Sequence, residues 1–280
     1  MPPSSADRRA GRAAAARRRA RRGAGISALS TVVVVGALLA RILTSRGWPD
    51  VRDTFFDPDA FTDAFPDVLS GFWLDVRLFV IVEAVVLVLG LVIALGRTTT
   101  APALFPVRLL CAAYVDLLRG IPTILVVYLV GFGVPALALD GLPSDPVVLG
   151  GIGLALAYSA YVAEVYRAGI DAVPPAQRSA ALAVGLSEPQ VLRFVVLPQA
   201  VRRVVAPLLN DFISLQKDVA LVSVLGPLEA FRQAQIYAAE NFNYTPLLAA
   251  AALYLIVTVP LARILDRVQA RERIALGAVR

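Results

Sequence analysis

Residues 169–198 read GIDAVPPAQRSAALAVGLSEPQVLRFVVLP, a polar, helix-forming insert between two hydrophobic stretches. Val173-Pro174-Pro175 stops the preceding helix and pre-sets φ for a new one, because proline is tolerated in a first helical turn but not in an interior. Residues 176–184 then form about two turns rich in small side chains. Gly185 sits where a C′ glycine ends such a turn, and Ser187 with Gln190 forms a capping box that starts a second short helix. Pro198 is expected to end that second helix. Two short helices joined by a tight glycine turn, with an alanine face, make a compact knob for the groove of another protein, held at a membrane surface by the hydrophobic stretches on either side.

The rest of the chain supplies that membrane. Its 280 residues are 58% hydrophobic with a mean hydropathy of +0.71, too apolar for an ordinary soluble domain, and several segments are long enough to cross a bilayer. There is no histidine and one cysteine, Cys111, which excludes an intrachain disulfide and histidine-based catalysis or metal binding. Cys111 reads as a small packing residue. The net charge of +6 belongs mostly to a tail and to loops on one side, so it carries topology and does not indicate nucleic acid.

Residues 1–22 hold eight arginines from Arg8 to Arg22 and no apolar periodicity, the composition of a disordered basic tail against anionic lipid. Residues 23–45 read as a first transmembrane helix, long and without a clear cleavage site, in preference to a signal peptide. An acidic loop follows at 46–70, with Asp50, Asp53, Asp57, Asp59, Asp63 and Asp67. Further spans fall at about 71–96, 120–139, 146–163, 204–225 and 241–262, the last followed by a C-terminal tail at 269–280. Arg97, Arg108, Arg178, Arg193, Arg202, Arg203, Arg263 and Arg267 mark one side. By the positive-inside rule both termini and the 169–198 insert are cytoplasmic. The expectation is an all-α membrane protein of six transmembrane helices.

At the insert the sequence resembles a known family. Ser179-Ala180-Ala181, three residues, Gly185, nine residues, Val195, one residue and Leu197-Pro198 are similar to the EAA loop of permease subunits of ABC importers, E-A-A-x3-G-x9-I-x-L-P. YVDLLRGIP at 114–122 resembles the Y-x-E-x-x-R-G-T-P of the polar amino acid uptake branch, and SAYVAEVYR at 159–167 resembles its A-A-Y-x-x-E-x-x-R. LPQA at 197–200 and KDVALVSV at 217–224 resemble its L-P-Q-A and K-D-T-S-L-x-S-V. Ser179 departs from the pattern, standing where the family has glutamate.

The resemblance implies a type I importer domain over 71–268, with a five-helix core and the first span as an addition. It also implies a polar amino acid ABC importer in the bacterial cytoplasmic membrane. The partners would be an ATPase dimer docked on Arg178, Ser179, Ala180, Ala181, Gly185, Leu186, Leu197 and Pro198, a second permease subunit, and an extracytoplasmic binding protein. No G-x-x-x-x-G-K-[ST] occurs in the chain, so ATP and Mg would be used by the partner, with no catalytic residue, metal or cofactor on this chain.

Ionisable groups inside a bilayer cost at least about 2.5 kcal/mol each and need a partner or a purpose. Glu83 is the one charge in the middle of the second span, either a polar lining of the substrate path or a partner to another helix. Asp75 and Arg77 read as a solvated interface pair. Asp116 and Arg119 stand i, i+3, able to pair locally beside a bend at Gly120–Pro122, which is a candidate gate. Glu164 and Arg167 repeat that spacing where the fourth span enters the insert. Asn210, Asp211, Lys217 and Asp218 are too polar for a lipid-facing helix, and line a pathway or a dimer contact. The competing function is an ion-coupled secondary transporter or channel that uses Glu83, Asp211 or Asp218. The polar insert and the absence of an inverted repeat weigh against it.

Overall fold

The structure is a computed structural model that describes residues 23, 25, 27–99 and 101–275. The basic tail at 1–22 and the last residues of the C-terminal tail lie outside the described residues. The chain divides into two compact units, up to Phe56 and from Asp57 onward. The first contains α1 (Ser27–Leu43) and α2 (Trp48–Phe55). Along α1 the valines and leucines are exposed, as on a helix with lipid for its surroundings.

The second unit carries the longer helices α3 (Pro58–Thr98), α4 (Phe105–Gly120), α5 (Thr123–Ala136) and α6 (Pro146–Asp171). Two short helices follow, α7 (Pro175–Ala183) and α8 (Glu188–Val191), and a π-helical turn at Leu192–Val196 leads into α9 (Leu197–Asp218). A 3-10 turn at Val219–Leu225, α10 (Ala230–Asn241) and α11 (Thr245–Ala275) complete it. Among the described residues α3, α6 and α11 are long and apolar enough to cross a membrane. The pair α4 and α5, bent by 107°, makes a fourth span if taken together. The break falls at Ile121–Pro122, where both residues are extended, as expected from the glycine and proline. α1, with its 17 residues, and α9, with its polar groups, are shorter or more polar than that standard.

Several boundaries differ from the sequence reading: α9 starts at Leu197 and ends at Asp218 where a span was expected over 204–225, and α11 runs on to Ala275, past the expected span end at 262 and into the expected tail at 269–280. Residues 46–70, read as a loop, are largely helical. Asp57 caps α3 by accepting from the amides of Asp59 (2.9 Å) and Ala60 (3.4 Å), and Pro58 takes the first position. Acidic residues and proline at helix starts are stabilising, so the acidic run begins a helix. Pro198 does not end a helix either. It lies in the first turn of α9, where a missing N–H costs nothing. The π turn before it, closed by Leu197 N–H to the Leu192 carbonyl, carries α8 into α9 without a break.

α6 is the central helix, packed against α3, α4, α5, α9 and the 3-10 turn. Its glycines and alanines let neighbours approach closely, the usual solution where lipid offers no hydrophobic drive to association. Leu78, Val82, Val127, Leu154, Tyr158, Leu215 and Val222 form the main core around it. At the opposite end from the insert, α10 lies against α3 at Gly71, where an added Cβ would stand 2.5 Å from the Glu229 carbonyl carbon and 2.6 Å from the Ala230 nitrogen. Backbone cannot yield as a side-chain tip can. Gly71→Ala is therefore expected to destabilise the fold by about 1–3 kcal/mol, read as a lower melting midpoint of the detergent-solubilised protein; an unchanged midpoint would refute the close packing.

Candidate functional site

The insert is a closed structural unit. α6 ends at Asp171 and α7 opens at Pro175 after an extended Pro174. Gly185 N–H donates to the Leu182 carbonyl (3.0 Å) and Leu186 N–H to that of Ala181 (3.2 Å), the two bonds of a Schellman motif. Gly185 has φ +90°, the left-handed conformation expected of it. Ser187 N–H donates to Gln190 Oε1 at 2.8 Å, and so opens α8. Val173, Ala181, Val191, Val196 and Ala200, with Leu186, form a small apolar core under the two helices.

That core sorts the expected docking residues. Ala181 is buried and Leu186 half-buried, so they hold the insert together, whereas Arg178, Ser179, Ala180, Gly185, Leu197 and Pro198 are exposed. Arg178 pairs with Glu188 across the turn at 2.7 Å, an exposed bridge worth little in stability. Val184 and Phe194 add a strongly exposed apolar tip, 81% and 61% accessible, which the motif pattern did not single out.

Behind the insert, Glu164 on α6 gathers arginines from three helices. Arg97 at the end of α3 donates to its Oε2 at 2.6 Å, and Arg167 donates to both oxygens at 2.6 and 3.1 Å. Arg119 at the end of α4 stands 3.9 Å away. Arg167 also bonds Asp171. The local pair expected between Asp116 and Arg119 does not form. Arg119 turns to Glu164 and over the Tyr161 ring, 5.8 Å from its centroid, and Asp116 is exposed. The pull comes from a partly buried carboxylate on the facing helix, where screening by water is weaker than at a surface pair.

A cleft of about 380 Å³ opens beside this network, lined by Arg119, Tyr161, Glu164, Arg203, Pro207 and Asp211 among others. Arg203 bonds the Ala172 carbonyl and so ties α9 to the start of the insert. Asp211 Oδ2 is buried and has no hydrogen-bond partner. Glu83 is half-buried on α3, which packs against α9. The two helices meet one residue and one turn away, through the edge-to-face rings of Phe79 and Phe212 at 4.6 Å. The polar set of α9 divides by heptad. Asp211 and Asp218 face the interior, Asp218 accepting from the Tyr158 hydroxyl at 2.8 Å, while Asn210 and Lys217 lie on an exposed face. Buried Gln216, accepting from the Thr258 hydroxyl at 2.7 Å, joins α9 to α11.

Asp75 is a correction. It is 2% exposed and does not pair with Arg77. Its Oδ2 accepts from the Tyr254 hydroxyl (2.7 Å) and the Ala230 amide (3.3 Å). Fully buried Glu229 alongside caps α10 through the amides of Phe231 and Arg232. These bonds join α3, α10 and α11 far from the insert. Among the described residues no three of His, Cys, Asp and Glu gather to hold a metal.

This arrangement is a helical membrane domain with a side-knob, an arginine network beneath it and a polar cleft leading inward. Residues 86–274 match the family described as the binding-protein-dependent transport system inner membrane component, and the chain belongs to that family. It is 33% identical over 220 residues to the glutamine transport system permease protein GlnP of Escherichia coli (strain K12), covering 78% of this chain and 99% of that one. With the probable amino-acid permease protein YxeN of Bacillus subtilis (strain 168) it shares 32% over 206 residues, 72% and 90% of the two chains. A solved structure described as an amino acid ABC transporter with histidines superposes with a TM-score of 0.69 at 30% identity, over 77% of this chain and 98% of that one.

Proposed function

We propose that this chain is the permease subunit of an ABC importer for polar or charged amino acids. Two such subunits, identical or homologous, would form the pathway, with six spans each and both termini cytoplasmic. The added N-terminal span at 23–45 would precede the acidic extracytoplasmic segment 46–70 and the importer domain at 71–268. A separate ATPase dimer, using ATP and Mg, would dock on the insert, and an extracytoplasmic binding protein would deliver substrate. The observation that carries this reading is the insert itself, closed by its own Schellman turn and apolar core while Arg178, Ser179, Ala180 and the Val184 tip remain exposed. Such a unit can move as a rigid body when a partner moves.

The Glu164 network connects that movement to the pathway. It fixes the end of α6, from which the insert hangs, to the ends of α3 and α4. The cleft beside it, with Arg119, Arg203 and Asp211, offers both signs of charge to a zwitterion, and Lys217 and Asn210, exposed on α9, would face a second subunit. ATP binding would shift the population between inward- and outward-open states in proportion to its differential affinity for them.

Uptake into cells separates this from an ion-coupled carrier. An uncoupler applied while ATP is held constant is expected to leave uptake unchanged, and ATP depletion with the ion gradient preserved to stop it. The reverse pattern would overturn the reading and direct attention to Glu83 and Asp211 as ion sites.

A further inference from the structure

A second cleft, of about 360 Å³, lies at the insert end of the helices, between the end of α3, the start of α4 and the end of α6. It is lined by Arg97, Phe105, Arg108, Leu109, Ala112 and Arg167. Around it the charges do not balance. Arg97, Arg119 and Arg167 share Glu164, and Asp171 takes only Arg167. Among the described residues no carboxylate pairs with Arg108; its guanidinium lies over the Phe105 ring, 5.2 Å from the centroid. Among the described residues the three arginines that line the cleft, Arg97, Arg108 and Arg167, thus stand against two carboxylates, Glu164 and Asp171, the first of which Arg119 also shares.

The cleft's other wall is apolar and uncovered. Phe105, Leu109 and Leu110 on α4 are 54%, 57% and 71% exposed, and Leu104 just before them 45%. Surplus arginine at the edge of a membrane helix bundle, opening onto an exposed apolar helix face, suits a ligand with an anionic head and an apolar body. Arginine is suited to phosphate because its planar fork donates two parallel hydrogen bonds to it. A soluble anion would have no use for the leucine face, and an acidic protein segment would bury it only against an apolar partner surface.

We infer that this cleft is a binding site for the phosphate headgroup of an anionic phospholipid, held by Arg108 with Arg97 and Arg167, its acyl chains lying along Leu109 and Leu110. Basic pockets between membrane helices are a recognised setting for such headgroups. The site shares no lining residue with the cleft of Arg119, Glu164 and Asp211. It requires only that the chain spans a membrane, and stands whether or not the importer reading does. Arg97 and Arg167 are committed to Glu164, so the lipid would also load the network that anchors α6, making the insert's support depend on membrane composition.

The test is lipid retention by the full-length chain. It would be equilibrated in nanodiscs of phosphatidylcholine and phosphatidylglycerol, released into detergent, and weighed by native mass spectrometry. The wild type is expected to retain phosphatidylglycerol in preference to phosphatidylcholine. Arg108→Ala should retain about fivefold less, Arg108→Lys an intermediate amount, and Arg263→Ala, outside the cleft, as much as wild type. Ala112→Phe, which fills the cleft and leaves its charges, should lose retention too. Equal retention by wild type, Arg108→Ala and Ala112→Phe overturns the proposal. Retention of phosphatidylglycerol no greater than of phosphatidylcholine, with inorganic phosphate binding to wild type but not to Arg108→Ala, overturns the lipid assignment and leaves a soluble-phosphate site.

Discussion

Gly185→Arg is expected to abolish ATP-driven amino acid uptake while the chain still inserts into the membrane. The glycine sits at φ +90°, and a Cβ added there meets nothing within 4 Å. The substitution is therefore costly through backbone conformation and not through packing, by about 1–2 kcal/mol for an L side chain in the left-handed region. That is too little to unfold the membrane domain, whose main core lies on other helices. It is enough to disturb the Schellman turn that fixes α7 against α8, and it places a long cation on the exposed surface between them. Losing 1–3 kcal/mol of coupling between two sites lowers the response about 5- to 150-fold. Radiolabelled uptake, with the membrane-fraction amount measured by immunoblot, checks both halves. Gly185→Asn, which tolerates the left-handed region, should retain most of the activity. Normal uptake by the arginine variant would defeat the assignment of the insert.

Glu164→Gln should have the next largest effect. The amide keeps the shape of the side chain but not its charge, leaving Arg97, Arg119 and Arg167 around a neutral group. Hydrogen bonds to a charged partner contribute about 1.5–3 kcal/mol each. Glu164 accepts three from two arginines, yet it is 23% exposed, so water replaces part of the loss. A destabilisation of about 2 kcal/mol is expected, together with a fall in uptake on the order of tenfold, since the insert would hang from a helix no longer fixed to α3 and α4. Glu164→Asp, charged but shorter, should recover part of both. Thermal melting and uptake measured on the same preparations test this; a variant that melts and transports like wild type would show that the network is not a coupling element.

The parts legible in the sequence are those governed by local rules. Pro174, Pro175, Gly185, Ser187 and Gln190 dictate the conformations of their own neighbours, and α7, its turn and α8 form where those residues place them. The bend between α4 and α5 is local in the same way, since Pro122 has no N–H for the helical ladder and biases Ile121 before it to an extended backbone. Pro198 is ambiguous in the sequence because proline has two opposite meanings: it can end a helix or open one, and only the π turn before it shows which. The long-range pairings had no such signal. Glu164 with Arg97 spans 67 positions, and Asp75 with the Ala230 amide spans 155. Closeness in sequence suggests a local pair for Asp116 and Arg119, at i, i+3, and for Asp75 and Arg77, at i, i+2, but a partly buried carboxylate on another helix outweighs it in the first case and burial against α10 and α11 in the second. α9 shows a middle case. Its polar residues declared that the helix could not face lipid all round, and the i, i+7 separation of Asp211 from Asp218 held the information about which of them turn inward.

The most direct test of the account is to ask what the full-length chain carries with it when purified gently from its native membrane. Mass spectrometry is expected to identify a P-loop ATPase, with a binding protein or a second permease alongside, and Gly185→Arg should lose the ATPase while keeping a partner permease. Recovery of this chain alone, from preparations in which known membrane complexes survive, would contradict the claim that the 169–198 insert is a docking element for a separate motor.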